Sequence, residues 1–162
     1  MAIIESRLEE LGLALPPPMT LPPGVRLPFA LVNVRGNVAY ISGHGPQLAD
    51  GSFADKFGKV GADVSVDEAY ELARLTGLSM LGSLQRELGD LDRISGWGRI
   101  FGMVNSAPGF TEQPAVINGC TDMILEVFGP DIGRHARSAV GMAALPFGAG
   151  IAVEIEADVL ID

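Results

Sequence analysis

The chain has 162 residues, 48% of them apolar, which is enough for one domain with a packed core and excludes a disordered chain. Eleven Lys plus Arg stand against twenty Asp plus Glu, a formal charge of −9, and no basic cluster is present. Phosphate neutralisation supplies most nucleic-acid affinity, so this balance argues against RNA or DNA as a partner. No apolar run approaches the roughly 20 residues that span a bilayer, and a single cysteine, Cys120, rules out an internal disulfide. With acidic residues in MAIIESRLEELGL where a secretory signal needs basic ones, a cytoplasmic, reducing location is expected.

Residues 1–27 read as a short amphipathic helix (4–13) and a proline-rich arm, LPPPMTLPPGVRLP, that crosses the surface. FALVNV and VAYISG flank Arg35-Gly36-Asn37 as a hairpin. A loop rich in Gly and Asp runs from His44 to Lys59. Ser65-Val66-Asp67-Glu68 is a capping box, opening a helix that Gly89 ends. Its apolar positions Ala69, Leu72, Ala73, Thr76, Met80 and Leu84 recur at helical spacing.

Ile94 to Asn105 reads as a third strand, and Gly96, Gly98 and Gly102 within it point to a bulge or a close neighbour. Thr111 to Phe128 reads as a second helix, with Pro114 in its first turn and Gly129 after its end. SAVGMAAL follows as a strand, then a turn at PFGAG. The last strand alternates, with Ile151, Val153, Ile155, Ala157, Val159 and Ile161 on one face. The order β-β-α-β-α-β-β suits one α+β domain, a sheet carrying two helices on one face. Its other face keeps apolar residues that subunits can cover.

The chain carries no GxGxxG after a strand, no GxxxxGK[ST] and no GxSxG. His44, His135 and Cys120 lack zinc-ligand spacing, so no metal is expected. Arg137 and Glu154 remain. Arg137 heads an uncharged strand, as a solvated strand end or as a group aimed at an anion. Glu154 and Glu156 alternate with apolar residues, as on the wet face of a half-buried strand.

The stretch ARSAVGMAALPFGAGIAVEIEADV resembles the signature of the Rid family, the reactive-intermediate deaminases, also called YjgF-like or L-PSP-type proteins. That signature has an Arg opening a strand, then L-P, a hairpin turn and V-E-I-E-A. PFALVNVRGNVAYISGHGP matches the family's PY…GN…SGQ.P spacing, and the whole resembles a divergent branch often labelled endoribonuclease. The resemblance implies a chorismate-mutase-like fold and a homotrimer with clefts between subunits. It implies that Arg137 binds a substrate carboxylate, that Glu154 positions the attacking water, and that Ser42 and Gly43 form cleft wall. The implied activity is cofactor-free hydrolysis of 2-imino or 2-enamino acids; a non-catalytic trimer that binds small carboxylates is the alternative, and a ribonuclease runs against the acidic charge. The chain departs from the pattern at Phe29 (Tyr in the family), His44 (Gln) and Ala139 (often Cys). It also carries extra residues, NSAPGFTEQPAVINGC, where Asn105 and Asn118 are candidate cleft polar groups.

Overall fold

The computed structural model describes residues 3–162, so Met1 and Ala2 of the expected N-terminal segment lie outside it. The first helix, α1 (Ile3–Glu10), caps itself on a neighbour: the Ile3 and Ile4 amides donate to the Asp92 carboxylate at 2.7 and 2.8 Å. It ends before the predicted residue 13 because Gly12 turns left-handed at φ 66°. The Gly12 and Leu13 amides then bond back to the Glu9 and Leu8 carbonyls, which closes the helix. The arm behind it has no helix or strand and is ordered by contact, with Arg86 Nη1 donating to the Pro16 carbonyl at 3.0 Å.

Strands β1 (Val32–Arg35) and β2 (Val38–His44) form the expected hairpin, Arg35 opposite Val38 across Gly36-Asn37. Helix α2 (Val66–Leu88) starts at the capping box: Ser65 Oγ accepts from the Glu68 amide, and the Glu68 carboxylate accepts from the Ser65 amide. Gly89 ends it left-handed, and all six of its periodic positions are buried. A 3-10 turn, Leu91–Arg93, leads into β3 (Ile94–Asn105). Helix α3 (Gln113–Ile132) runs past the predicted end, but its backbone breaks at Gly129 (φ 75°, ψ 174°), where the glycine had marked a stop. Strand β4 (Ala136–Met142) begins two residues before SAVGMAAL, and β5 (Val153–Ile161) closes the chain.

The five strands lie in the order β1-β2-β5-β3-β4, with β3 and β4 parallel and the other pairs antiparallel. The turn expected at PFGAG is present, with the Gly150 amide bonded to the Phe147 carbonyl, but it does not join a hairpin as the family resemblance implies, because β4 and β5 are not neighbours. Helix α3 carries the chain back to the start of β3, so β4 runs parallel beside it. The slot left between β2 and β3 is filled by β5, and β3 separates it from β4.

The core lies between the sheet and α2 and α3, with the short α1 at the end of α3. The alternate residues Val153, Ile155, Ala157, Val159 and Ile161 are all buried. The glycines of β3 do what their sequence spacing suggested: the ladder with β5 slips at Gly96 and between Trp97 and Arg99. Gly102 lies under α3, where an added Cβ would sit 2.6 Å from Ile117. Among the described residues no helix is long and apolar enough to cross a membrane.

Gly102→Ala should therefore cost about 1–3 kcal/mol by overpacking. Gly96→Ala, whose Cβ would find its nearest neighbour at 3.7 Å, should stay within about 0.5 kcal/mol in the same urea titration.

Candidate functional site

The pleat decides where each candidate points. Ile100, Gly102 and Val104 of β3 face the helices, and Arg137 pairs with Ile100 in the parallel ladder. Arg137 therefore lies on the helix side, at the sheet's β4 edge. Glu154 pairs with Met103 and alternates with buried Val153 and Ile155, so it lies on the opposite face. Within one protomer the two cannot share a site.

Arg137 reaches over α3. Its Nη1 donates to Asn118 Oδ1 at 2.8 Å and Thr121 Oγ1 at 3.1 Å, and its Nη2 donates to the Pro114 carbonyl at 3.4 Å. All three acceptors are neutral. Among the described residues no carboxylate pairs with this guanidinium; the ion pairs join Arg7–Glu10, Lys56–Glu68 and Arg74–Glu126. Ala139, two residues on, shares the helix-side face and packs against the core, where the family's frequent Cys would add a thiol.

On the other face the Glu154 carboxylate lies over Gly43. A Cβ there would sit 2.1 Å from Glu154 Oε1, so any larger residue would displace the carboxylate from this position. Half-buried, Glu154 is held above the usual carboxylate range, first by desolvation and then by Glu156. Ser42, next to Gly43, donates through Oγ to the Ala30 carbonyl at 2.7 Å and helps line an open cavity of about 550 Å³. Phe29, Tyr40, Arg99, Phe101 and Asp158 line it too, and Phe29, Tyr40 and Leu160 are 55%, 46% and 43% exposed.

The sequence candidates thus fall into two groups: Arg137, Ala139 and Asn118 at one edge, and Phe29, Ser42, Gly43 and Glu154 on the far face. Thr121 was missed, although it follows Asn118 by three residues on one helix face. His135 was considered only as a metal ligand. It sits two residues before Arg137 and contacts Thr121 at 3.0 Å.

The family model described as "YjgF/chorismate mutase-like, putative endoribonuclease" matches residues 5–159. The chain belongs to this family. Protein TCP17 of Trypanosoma cruzi is 42% identical over 139 residues, 81% of this chain and 86% of that protein. The crystal structure of Atu1372 from Agrobacterium tumefaciens is 41% identical with a TM-score of 0.85, covering 99% of this chain and 92% of that one. TdcF of E. coli, solved with bound serine, is 18% identical with a TM-score of 0.58 over 92% and 96% of the two chains, a likeness of fold alone.

Two polar candidates of this YjgF-like chain sit inside the protomer instead of lining an open cleft. Asn105 is buried, and its backbone bonds to Ala152 and Val60. His44 is buried on the helix side because the β2–β5 register slips between Ile41 and His44. Its Nδ1 donates to the Ser42 carbonyl at 2.6 Å, leaving Nε2 to accept from Ser83 Oγ of α2 at 2.8 Å. This strut holds the strand end that carries Gly43. Burial pushes the His44 ring below the ordinary histidine value, against the Ser42 hydrogen bond, which raises it.

The sign of the linkage follows. Below about pH 6.5 the unfolded chain takes up a proton at His44 that the folded chain resists. This contribution to stability is full above that pH and declines as pH falls towards the ring's lowered midpoint. Urea midpoints measured between about pH 7.5 and about pH 5 should fall, and fall less in His44→Gln. Equal falls in the two proteins would show that His44 is not the group responsible.

Proposed function

We propose that this chain hydrolyses 2-imino or 2-enamino acids without a cofactor, in clefts between the subunits of a homotrimer. The observation that carries the reading is the Arg137 guanidinium. Three neutral acceptors of α3 hold it in place, yet among the described residues no carboxylate pairs with its charge. A fork fixed in this way is ready for a planar carboxylate, which it can bind through two parallel hydrogen bonds.

The second requirement is a group that moves protons at the neighbouring carbon. Glu154 fits it: half-buried, with a raised midpoint, and over a glycine backbone. Since Arg137 and Glu154 of one protomer occupy opposite faces, the edge of one copy has to meet the open sheet face of the next. The exposed Phe29, Tyr40 and Leu160 on that side supply apolar surface for such a contact. The carboxylate-bearing serine bound to TdcF lends further support to a small carboxylate ligand.

In the reaction, Glu154 takes a proton from water as the oxygen bonds to C2 of the imine. Glu154 passes that proton to the nitrogen and then carries the new hydroxyl's proton the same way, so the C–N bond breaks as the carbonyl forms and ammonia leaves a 2-oxo acid behind. Every step is an addition, a proton transfer or an elimination, so orientation and one acid–base group suffice.

One observation favours a second reading, a trimer that binds carboxylates without turnover. Phe29 lines the cavity where the family has Tyr, so a hydroxyl that could orient water is missing. The two readings share Arg137 and part at Glu154.

Light scattering should give a trimer at micromolar concentration; a stable monomer would leave the cleft unbuilt. Arg137→Lys should weaken 2-oxobutanoate binding by about 1.5–3 kcal/mol, roughly ten- to a hundredfold, with Tm unchanged. Equal affinity would reduce Arg137 to a solvated strand end. Glu154→Gln should bind the same acid normally and lose at least about 100-fold in ammonia release from freshly generated 2-iminopropionate. No release above buffer by the wild type would leave the binding reading, and Phe29→Tyr would then show whether a hydroxyl restores turnover.

A further inference from the structure

We propose that Thr121 and His135 are positioning residues of the carboxylate subsite, and that protonation of His135 strengthens the subsite's grip on an anion. The proposal rests on the reading of Arg137 as the carboxylate ligand and adds what regulates it. Its basis is a directional chain of hydrogen bonds at the head of β4.

His135 Nδ1 lies 2.7 Å from the Gly133 carbonyl, which can only accept, so Nδ1 carries the proton. Nε2 is then an acceptor, and its partner at 3.0 Å is the Thr121 hydroxyl, which must donate. With its proton spent on the ring, Thr121 Oγ1 presents lone pairs to Arg137 Nη1 at 3.1 Å. A neutral His135 therefore fixes the direction of the Thr121 hydroxyl, and Thr121 fixes one arm of the guanidinium. Asn118 holds the same nitrogen from one turn earlier on α3.

A second proton on His135 turns Nε2 into a donor. Thr121 Oγ1 then accepts from two cations that face each other across one oxygen. An anion on the outer edge of Arg137 relieves that repulsion. By reciprocity, an anion that favours protonated His135 must itself bind more tightly when His135 is protonated. Burial and the Arg137 charge both hold the ring below its ordinary value, against the Gly133 bond, which raises it.

Other charged groups around the ring leave this coupling intact. The Cys120 thiol, pushed up to about 12 by burial, stays neutral in this range. Asp122 on α3 turns to α2, where it accepts from Tyr70 at 2.7 Å. Arg134 and Asp131 are exposed to solvent. Glu154 of a neighbouring copy also titrates above the usual carboxylate range, so it has to be removed from the measurement.

The test is calorimetric binding of 2-oxobutanoate to the Glu154→Gln protein between about pH 8 and about pH 5, a range that spans an ordinary histidine. Affinity should tighten roughly three- to tenfold as pH falls, the size of a screened charge–charge coupling. The His135 ring midpoint, followed by NMR, should rise by the same factor when the acid is bound. Adding His135→Gln should flatten the profile. Adding Thr121→Val should weaken binding at every pH, and Thr121→Ser should restore it. A pH profile unchanged by His135→Gln, or a Thr121→Val protein that binds normally, overturns this proposal and leaves the deaminase reading standing. Absence of binding at every pH, in the wild type as well, overturns both.

Discussion

A β-strand sends successive side chains to opposite faces, and in this protein one row of that alternation governs the rest. Val153, Ile155, Ala157, Val159 and Ile161 are all drawn under α2 and α3. Burying them forces Glu154, Glu156 and Asp158 onto the open face. The β3–β5 ladder passes the parity to β3, and the parallel β3–β4 ladder passes it to β4, where it places Arg137 on the helix side. A slip of one residue would exchange core and site together, so the burial that stabilises the sheet also fixes the chemistry on it. The separation of Arg137 from Glu154 follows from where the apolar residues fall and needs no further device.

How far the fold can be read from the residues depends on how local the signal is. The capping box at Ser65 and the left-handed glycine at Gly89 bracket α2 within a turn of each end, and both are found where the residues put them. The alternation of β5 is equally local. The pairing of β4 is not. Nothing within Ser138–Leu145 says that its partner is β3 and not the strand across the PFGAG turn. That pairing is decided by α3, which returns the chain to the start of β3 and leaves only a parallel neighbour position open. The overrun of α3 past Gly129 is similar, since Pro130 starts a new turn that the glycine alone does not forecast.

The site divides along the same line. Arg137 and Glu154 stand out because charge is conspicuous in apolar strands. Thr121 and His135 do not, because their importance lies in a hydrogen-bond direction that exists only once α3 lies against β4. His44 shows the reverse case. The resemblance makes it a candidate cleft group, yet a register slip in β2 turns the ring inward onto Ser83. There it holds the strand end on which Gly43 and the Glu154 carboxylate meet.

Charge sets a last condition on any anionic ligand. A protomer with a formal charge of −9 repels a carboxylate at long range, although salt limits that repulsion to about 8 Å at physiological ionic strength. Attraction must therefore come at short range, from a fork that is already oriented and partly desolvated. Desolvation acts on Glu154 in the complementary sense: it raises the midpoint of the carboxylate and so makes it a stronger base. In the proposed reaction one group can then accept the proton of water and, once protonated, return it to the departing nitrogen.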